Sequence, residues 1–119
     1  MVMVKAIVRP EKVQDVMSAL FYAGFTALTR IDVCGRGRQK GMRVGEVTYD
    51  ELPKQMLLIV VPEEDRPFVI GCILKAARSG DKGAPGDGKI FVSPVEQVYT
   101  ISSGECETEE TLLPEAAER

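Results

Sequence analysis

Two stretches of this chain combine glycine with cationic side chains at spacings that could do chemistry. The first, Gly35-Arg36-Gly37-Arg38-Gln39-Lys40-Gly41, lets backbone N–H groups approach an anion while Arg36, Arg38 and Lys40 neutralise it. It continues into an acidic half carrying Glu46, Asp50 and Glu51. The second, Ser79-Gly80-Asp81-Lys82-Gly83-Ala84-Pro85-Gly86-Asp87-Gly88-Lys89, leads straight into the apolar run Ile90-Phe91-Val92. Both point to one chemistry, the cradling of a small anion such as a phosphate. A solvated hairpin tip and an ordinary turn before a strand would share these compositions.

Other chemistries are excluded or weakened. Gly83 to Lys89 copies the GxxxxGK spacing of a P-loop, but Ile90 stands where the magnesium-binding hydroxyl belongs. The segment that follows reads as a strand, so no helix amino end is available to hold phosphate. Gly35-Arg36-Gly37 opens like a dinucleotide motif and then departs from its glycine spacing. Histidine is absent, which removes imidazole bases, Ser-His-Asp triads and histidine metal sites. Catalysis is therefore not expected. Cys34, Cys72 and Cys106 are odd in number and far apart, and read as reduced thiols.

The formal net charge of −3 is unevenly spread. Residues 104–119 carry six acids against Arg119 alone and account for −5, leaving residues 1–103 at +2. That mild positive balance suits a small anion and is too weak for a nucleic-acid footprint. The longest apolar run, Met56 to Val61, is too short to span a bilayer, and Lys5 and Arg9 interrupt any signal-peptide core. A cytoplasmic location without membrane insertion is expected.

The elements that must position these stretches follow from periodicity. Val2, Val4, Ala6 and Val8 alternate as a strand, which Pro10 closes. Val13, Val16, Met17 and Leu20 follow at helical spacing, and Gly24 stops that helix. Ala27, Thr29, Ile31 and Val33 give a second strand and Met56 to Val61 a third, both expected to be buried. A second helix is predicted from Pro62 through Phe68, Val69, Cys72, Ile73, Ala76 and Ala77 to a stop at Gly80. Ile90 to Val92, continued through Val95 to Ile101 with a bend at Pro94, completes the set. The order β-α-β-β-α-β is an α+β, ferredoxin-like split βαβ sandwich with two helices on one sheet face. The other face would expose residues such as Ile7, Leu58 and Ile101, for which self-association is the economical cover. One domain over 1–103 is expected, with a long loop over 36–53 and a disordered acidic tail over 104–119.

Three runs, Gly37-Arg38-Gln39-Lys40-Gly41, Leu52-Pro53-Lys54 and Gly86-Asp87-Gly88-Lys89-Ile90-Phe91-Val92, together resemble the signature of PII signalling proteins. The resemblance covers residues 1 to about 105. It implies a homotrimer, or a mixed oligomer with a PII paralogue, that binds ATP or ADP between subunits and does no catalysis. It further implies that Ile7, Thr29, Gly35, Gly37, Arg38, Gln39, Gly86, Asp87, Gly88 and Lys89 line the nucleotide site. Gln39, Lys40, Gly41 and Lys54 would hold 2-oxoglutarate, with Gln39 also coordinating a Mg²⁺ that bridges it to the phosphates. Mg²⁺ commonly draws several of its oxygen ligands from bound phosphates, so one protein ligand is reasonable.

The shortened loop, with Gly45 to Lys54, is most similar to the nitrogen-fixation-associated branch, whose paired subunits inhibit the dinitrogenase component of nitrogenase when 2-oxoglutarate is low. Arg43, Glu46 and Tyr49 would then contact the target. An ammonium transporter, with Arg43 as the inserted side chain, or another enzyme of nitrogen metabolism is the alternative partner. Departures from the family pattern are specific. Val47 stands at the position of the uridylylated tyrosine, Thr100 and Ser102 replace two phosphate-contacting arginines, and Leu58 replaces a glutamate near the adenine. The glycine turn before Lys89 is longer by about three residues, around Gly83 to Pro85. A purely structural trimer of the same shape is the remaining rival.

Overall fold

The computed structural model describes residues 1–36 and 51–113. The alternation at the amino end becomes strand β1 (Val2–Val8), with Val2, Val4, Ala6 and Val8 buried and Met3, Lys5 and Ile7 turned to the other face. Pro10 opens a short 3-10 turn, Pro10–Lys12, closed by the Lys12 amide donating to the Arg9 carbonyl at 2.9 Å. Helix α1 (Val13–Tyr22) follows and buries Val13, Val16 and Leu20. Its end is a Schellman motif. The Phe25 amide donates to the Leu20 carbonyl at 2.9 Å and the Gly24 amide to the Phe21 carbonyl at 3.0 Å. Gly24 takes the required φ of 96°.

Strands β2 (Thr29–Gly35) and β3 (Leu52–Val61), helix α2 (Arg66–Ala77) and strand β4 (Gly88–Pro94) complete the order expected from the sequence. The sheet runs β2-β3-β1-β4 with every neighbouring pair antiparallel, which is the ferredoxin-like α+β arrangement. From α2, Val69, Ile73 and Ala77 sit four residues apart on one stripe and meet the α1 stripe and the inward strand residues in a single core. Among the described residues that core holds no buried polar or charged residue. Each fully buried aliphatic side chain in it contributes about 1.5–3 kcal/mol of transfer free energy.

Several expectations are corrected. β2 is not buried: it is the sheet's edge, six of its seven residues are exposed, and it starts at Thr29. Alternation signals a strand, but it cannot tell a central strand from an edge one. β3 begins at Leu52, four residues before the apolar run, because Leu52, Pro53 and Lys54 pair with Gly35, Cys34 and Val33. Pro53 is tolerated there since β1 pairs only from Gln55 onward, leaving that flank of β3 without a neighbour. α2 ends at Ala77, with Arg78 already extended, and Gly80 (φ 67°) belongs to the turn beyond.

The predicted continuation of the last strand through Val95–Ile101 is also overturned. After Val95 donates to the Met1 carbonyl at 3.0 Å, residues 98–100 pair locally with 105–107. Thr100 donates to Glu105 at 2.9 Å, Glu107 donates to Val98 at 2.7 Å, and Tyr99 bridges Cys106. Ile101 therefore lies at a turn and is 99% exposed, off the sheet face. Gly104, at φ 71°, makes the reversal possible.

The acidic stretch 104–119 is not of one kind. Residues 109–112 form a 3-10 turn, and Thr111, Leu112 and Leu113 line a groove with Phe25, Ala27 and Ile59. The Met1 ammonium donates to Glu109 Oε1 at 2.8 Å, joining the two ends of the described chain. Residues 114–119 lie outside the described residues.

Candidate functional site

The face of the sheet turned away from the helices carries Met3, Lys5 and Ile7 from β1, with their ladder partners Val60, Leu58 and Met56 from β3 and Ser93, Phe91 and Lys89 from β4. At one end of this face Ile7 lies directly between Met56 and Lys89, and Lys54 and Gly35 continue the same parity on β3 and β2. An open cleft of about 440 Å³ forms there. Its walls bring together Ile7, Gly35, Lys54, Gly86, Gly88 and Lys89, six of the residues singled out from the sequence. Arg36, Leu52, Pro85 and Phe91 complete it.

Among the described residues that line the cleft the charged side chains are Arg36, Lys54 and Lys89, and none is a carboxylate. Lys54 Nζ donates to the carbonyl oxygen of Gly86, joining β3 to the glycine turn. Lys89 has no side-chain partner among the described residues and is exposed, so its charge faces the cleft's solvent. This donor set fits phosphate and carboxylate oxygens. Among the described residues no group of three or more His, Cys, Asp or Glu is placed to hold a metal ion.

The turn that supplies Gly86 and Gly88 is fixed by backbone demands and by one carboxylate. Gly88 has φ 117°, and a Cβ on it would stand 1.7 Å from the Ile7 carbonyl oxygen, so glycine is obligatory for β4 to meet β1. Asp87 accepts from Arg9 Nε at 2.9 Å through Oδ1, and from the Ser79 and Ala84 amides at 3.0 and 2.8 Å through Oδ2. Arg9 Nη2 donates in addition to the Pro85 carbonyl at 2.9 Å. Burial pushes the Asp87 carboxyl up, but the hydrogen bonds from Ser79, Ala84 and Arg9 outweigh it and hold the group well below the usual carboxylate range.

Asp87 accordingly points into its own turn, and it is not among the residues lining the cleft. Thr29 is not in the cleft either. It pairs with Leu58 at the opposite end of β2, six residues and about 20 Å from Gly35. Gly37, Arg38, Gln39, Lys40, Gly41, Arg43, Glu46 and Tyr49 lie outside the described residues. Sequence reasoning missed Phe91 and Arg9 as parts of the site. The period-two spacing of Lys89 and Phe91 places both on one face, and it was the available signal for Phe91. Nothing in the sequence pairs Arg9 with Asp87 across 78 residues.

On the other side of β4 a second groove, about 360 Å³, runs under α2 between Ile70, Leu74, Ile90 and Val92. It is mostly apolar and shares Ile7, Gly88 and Lys89 with the cleft.

Comparison with known proteins fits this geometry. The family model described as nitrogen regulatory protein P-II matches residues 1–105. The chain belongs to the P-II family. It is 54% identical over 105 residues to "Nitrogen fixation nifHD region GlnB-like protein 1" of Methanothermobacter marburgensis, covering 88% of this chain and 97% of the relative. The "Nitrogen fixation nifHD2 region GlnB-like protein 1" of Methanosarcina barkeri is 50% identical over 105 residues, with the same two coverages. The "Nitrogen regulatory protein P-II" of Nostoc punctiforme is 46% identical over 110 residues, covering 89% of this chain and 96% of the relative. The resemblance seen in the signature runs, including the nitrogen-fixation branch, is thus shown, and the protein is a P-II-type regulator of nitrogen metabolism. The match stops at residue 105, before the 3-10 turn that Glu109 begins. Among the described residues no helix is long and apolar enough to cross a membrane.

Proposed function

We propose that this protein reads nitrogen status in the cytoplasm by binding ATP or ADP together with 2-oxoglutarate, and that it regulates nitrogenase by direct contact. The supporting observation is the convergence of three sequence-distant segments, at Gly35-Arg36, Lys54 and Gly86 to Lys89, on one cleft whose charged lining, among the described residues, is cationic. A site with that balance attracts polyanions and places charge-assisted donors where phosphate oxygens can accept. Lys89 and the glycine turn would take the phosphates. Lys54 would take the far carboxylate of 2-oxoglutarate. Mg²⁺, if bridged by Gln39, would draw its remaining ligands from phosphate and keto-acid oxygens.

A homotrimer, or a mixed trimer with a paralogue, accounts for the rest of the surface. Met3, Ile7, Ile31, Met56, Leu58, Val60 and Phe91 share one uncovered sheet face, and Ile31 and Phe91 are 41% and 50% exposed in the single chain. Packing copies around that face removes it from water. A neighbour's Thr29 could then reach the cleft that its own chain leaves it far from. The names of the methanogen relatives, tied to a nitrogen-fixation region, favour the dinitrogenase component as target over an ammonium transporter.

Calorimetry tests the ligand half of this proposal. ATP should bind with and without Mg²⁺, and 2-oxoglutarate should tighten it only when Mg²⁺ is present. Absence of ATP binding under all conditions would leave a structural trimer as the better account. The target half is tested by nitrogenase turnover with added protein: inhibition relieved by 2-oxoglutarate supports it, and co-purification of an ammonium transporter in place of dinitrogenase refutes it.

A further inference from the structure

We infer that Asp87 and Arg9 are positioning residues for the anion site: together they hold the Ser79–Gly88 turn in the shape that presents Gly86, Gly88 and Lys89 to a phosphate, without touching the ligand. The inference rests on the anion-binding reading proposed above and concerns how the site is kept in form.

The geometry carries it. Asp87 uses both carboxylate oxygens inside its own turn, one for Arg9 Nε and one shared by the amides of Ser79 and Ala84. Its own amide donates to the Ala84 carbonyl at 3.1 Å, so residues 84–87 close on themselves. Arg9 forks between Asp87 and the Pro85 carbonyl, which anchors the far side of the same turn to the end of β1. Gly86, at φ 94°, is pressed against this fork: a Cβ there would meet Arg9 Nη2 at 3.1 Å. Gly83, at φ 76°, packs likewise against Asp87 Oδ2 and Arg78. The turn is eleven residues from Ser79 to Lys89, rich in glycine and without an apolar side chain buried in the core. Such a segment has much conformational entropy to lose, and these hydrogen bonds, with the one from Lys54 Nζ to the Gly86 carbonyl, offset that loss. The carboxylate and guanidinium neutralise each other, so neither is left to act on a ligand as a net charge.

This assignment makes a prediction opposite in sign to a purely electrostatic one. Asp87 is a carboxylate adjoining a cleft whose described charged residues are cations, and Asp87→Asn deletes a negative charge beside the proposed phosphate position. By Coulomb's law alone the variant should bind polyanions more tightly. By the positioning role it should bind them more weakly, because the amide can supply only one acceptor oxygen where the carboxylate supplies two.

The experiment is calorimetric titration of wild type, Asp87→Asn and Arg9→Lys with ATP and separately with inorganic triphosphate, alongside amide hydrogen exchange at Ser79 and Ala84. The expected result is a tenfold or greater loss of ATP and triphosphate affinity in Asp87→Asn, with faster exchange at both amides. Arg9→Lys keeps the charge but not the fork, and should lose affinity while its thermal unfolding stays cooperative. Wild-type protein that bound neither probe would overturn the anion-site reading. Wild type that bound, with Asp87→Asn equal to it or tighter, would overturn the positioning role alone.

Discussion

The two ends of the sheet handle charge in opposite ways. At the cleft end, Lys54 and Lys89 stand on one face with no acid among the described residues lining the wall, and a glycine at φ 117° is forced on the backbone by the Ile7 carbonyl. At the other end, the Met1 ammonium is paired with Glu109 and a short apolar run, Leu112-Leu113, fills a groove beside Phe25 and Ile59. One end accepts backbone constraint and unbalanced charge, which is what a ligand site requires. The other pairs its ammonium with a carboxylate and fills its groove with its own chain. The difference shows that the same four strands can carry both a site and a fastening, with the loops at each end deciding which.

The largest effect that would break this comparison is at Gly88. Gly88→Ala should cost about 1–3 kcal/mol for the backbone conformation alone, with the clash against Ile7 added, and should detach the start of β4. Gly35→Ala, on the same cleft but with nothing within 4 Å and no positive φ, should change stability by less than about 0.5 kcal/mol. Urea unfolding of the two variants measures the contrast, and similar losses in both would show that the strain is not localised where the geometry puts it.

Next in size are the lysines. Lys89→Ala should lower ATP affinity by about tenfold to a hundredfold, the equivalent of one lost charge-assisted contact of about 1.5–3 kcal/mol, while leaving thermal unfolding unchanged. Titration of the variant at fixed ionic strength reads this out.

A smaller effect sharpens the role of the turn. Because the Asp87 carboxyl is held below its ordinary range, it stabilises the fold above the unfolded value of about 4, and that contribution disappears as pH falls through the folded value. Wild type and Asp87→Asn should therefore differ in denaturation midpoint at pH 7 and converge on acidification below about pH 4. A difference that persisted undiminished at low pH would show that the carboxylate's charge is not what matters.

The smallest effect is at the opposite end. Glu109→Gln removes an ion pair whose acid is 53% exposed, and should cost no more than about 1 kcal/mol with no change in ATP affinity. A larger loss, or any change in binding, would mean the two ends are not independent.

Much of the architecture was legible in the residues. Val2, Val4, Ala6 and Val8 announced β1, and Gly24 marked the helix stop that the Schellman bonds realise. β2 and the stretch after Pro94 were harder, for one reason. Alternation reports a strand's local shape, whereas its neighbours are set by contacts from far along the chain, as when residues 98–100 pair with 105–107 and not with the sheet. At the site, glycine and lysine types singled out Gly35, Lys54, Gly86, Gly88 and Lys89, which the fold brings to one cleft. The contact that turns the Asp87 side chain into its own loop was not legible, because its partner Arg9 is brought to it by the β1–β4 pairing and not by proximity in sequence.

One consequence of the Asp87 network concerns what the protein does not respond to. A fastener made of a guanidinium and a carboxylate pushed toward strong acidity keeps its ionisation at any acidity a living cell reaches. The chain holds no histidine, and burial pushes the Cys72 thiol up, with Lys75 pulling more weakly the other way. The turn that shapes the cleft is thereby insulated from drifts in proton concentration.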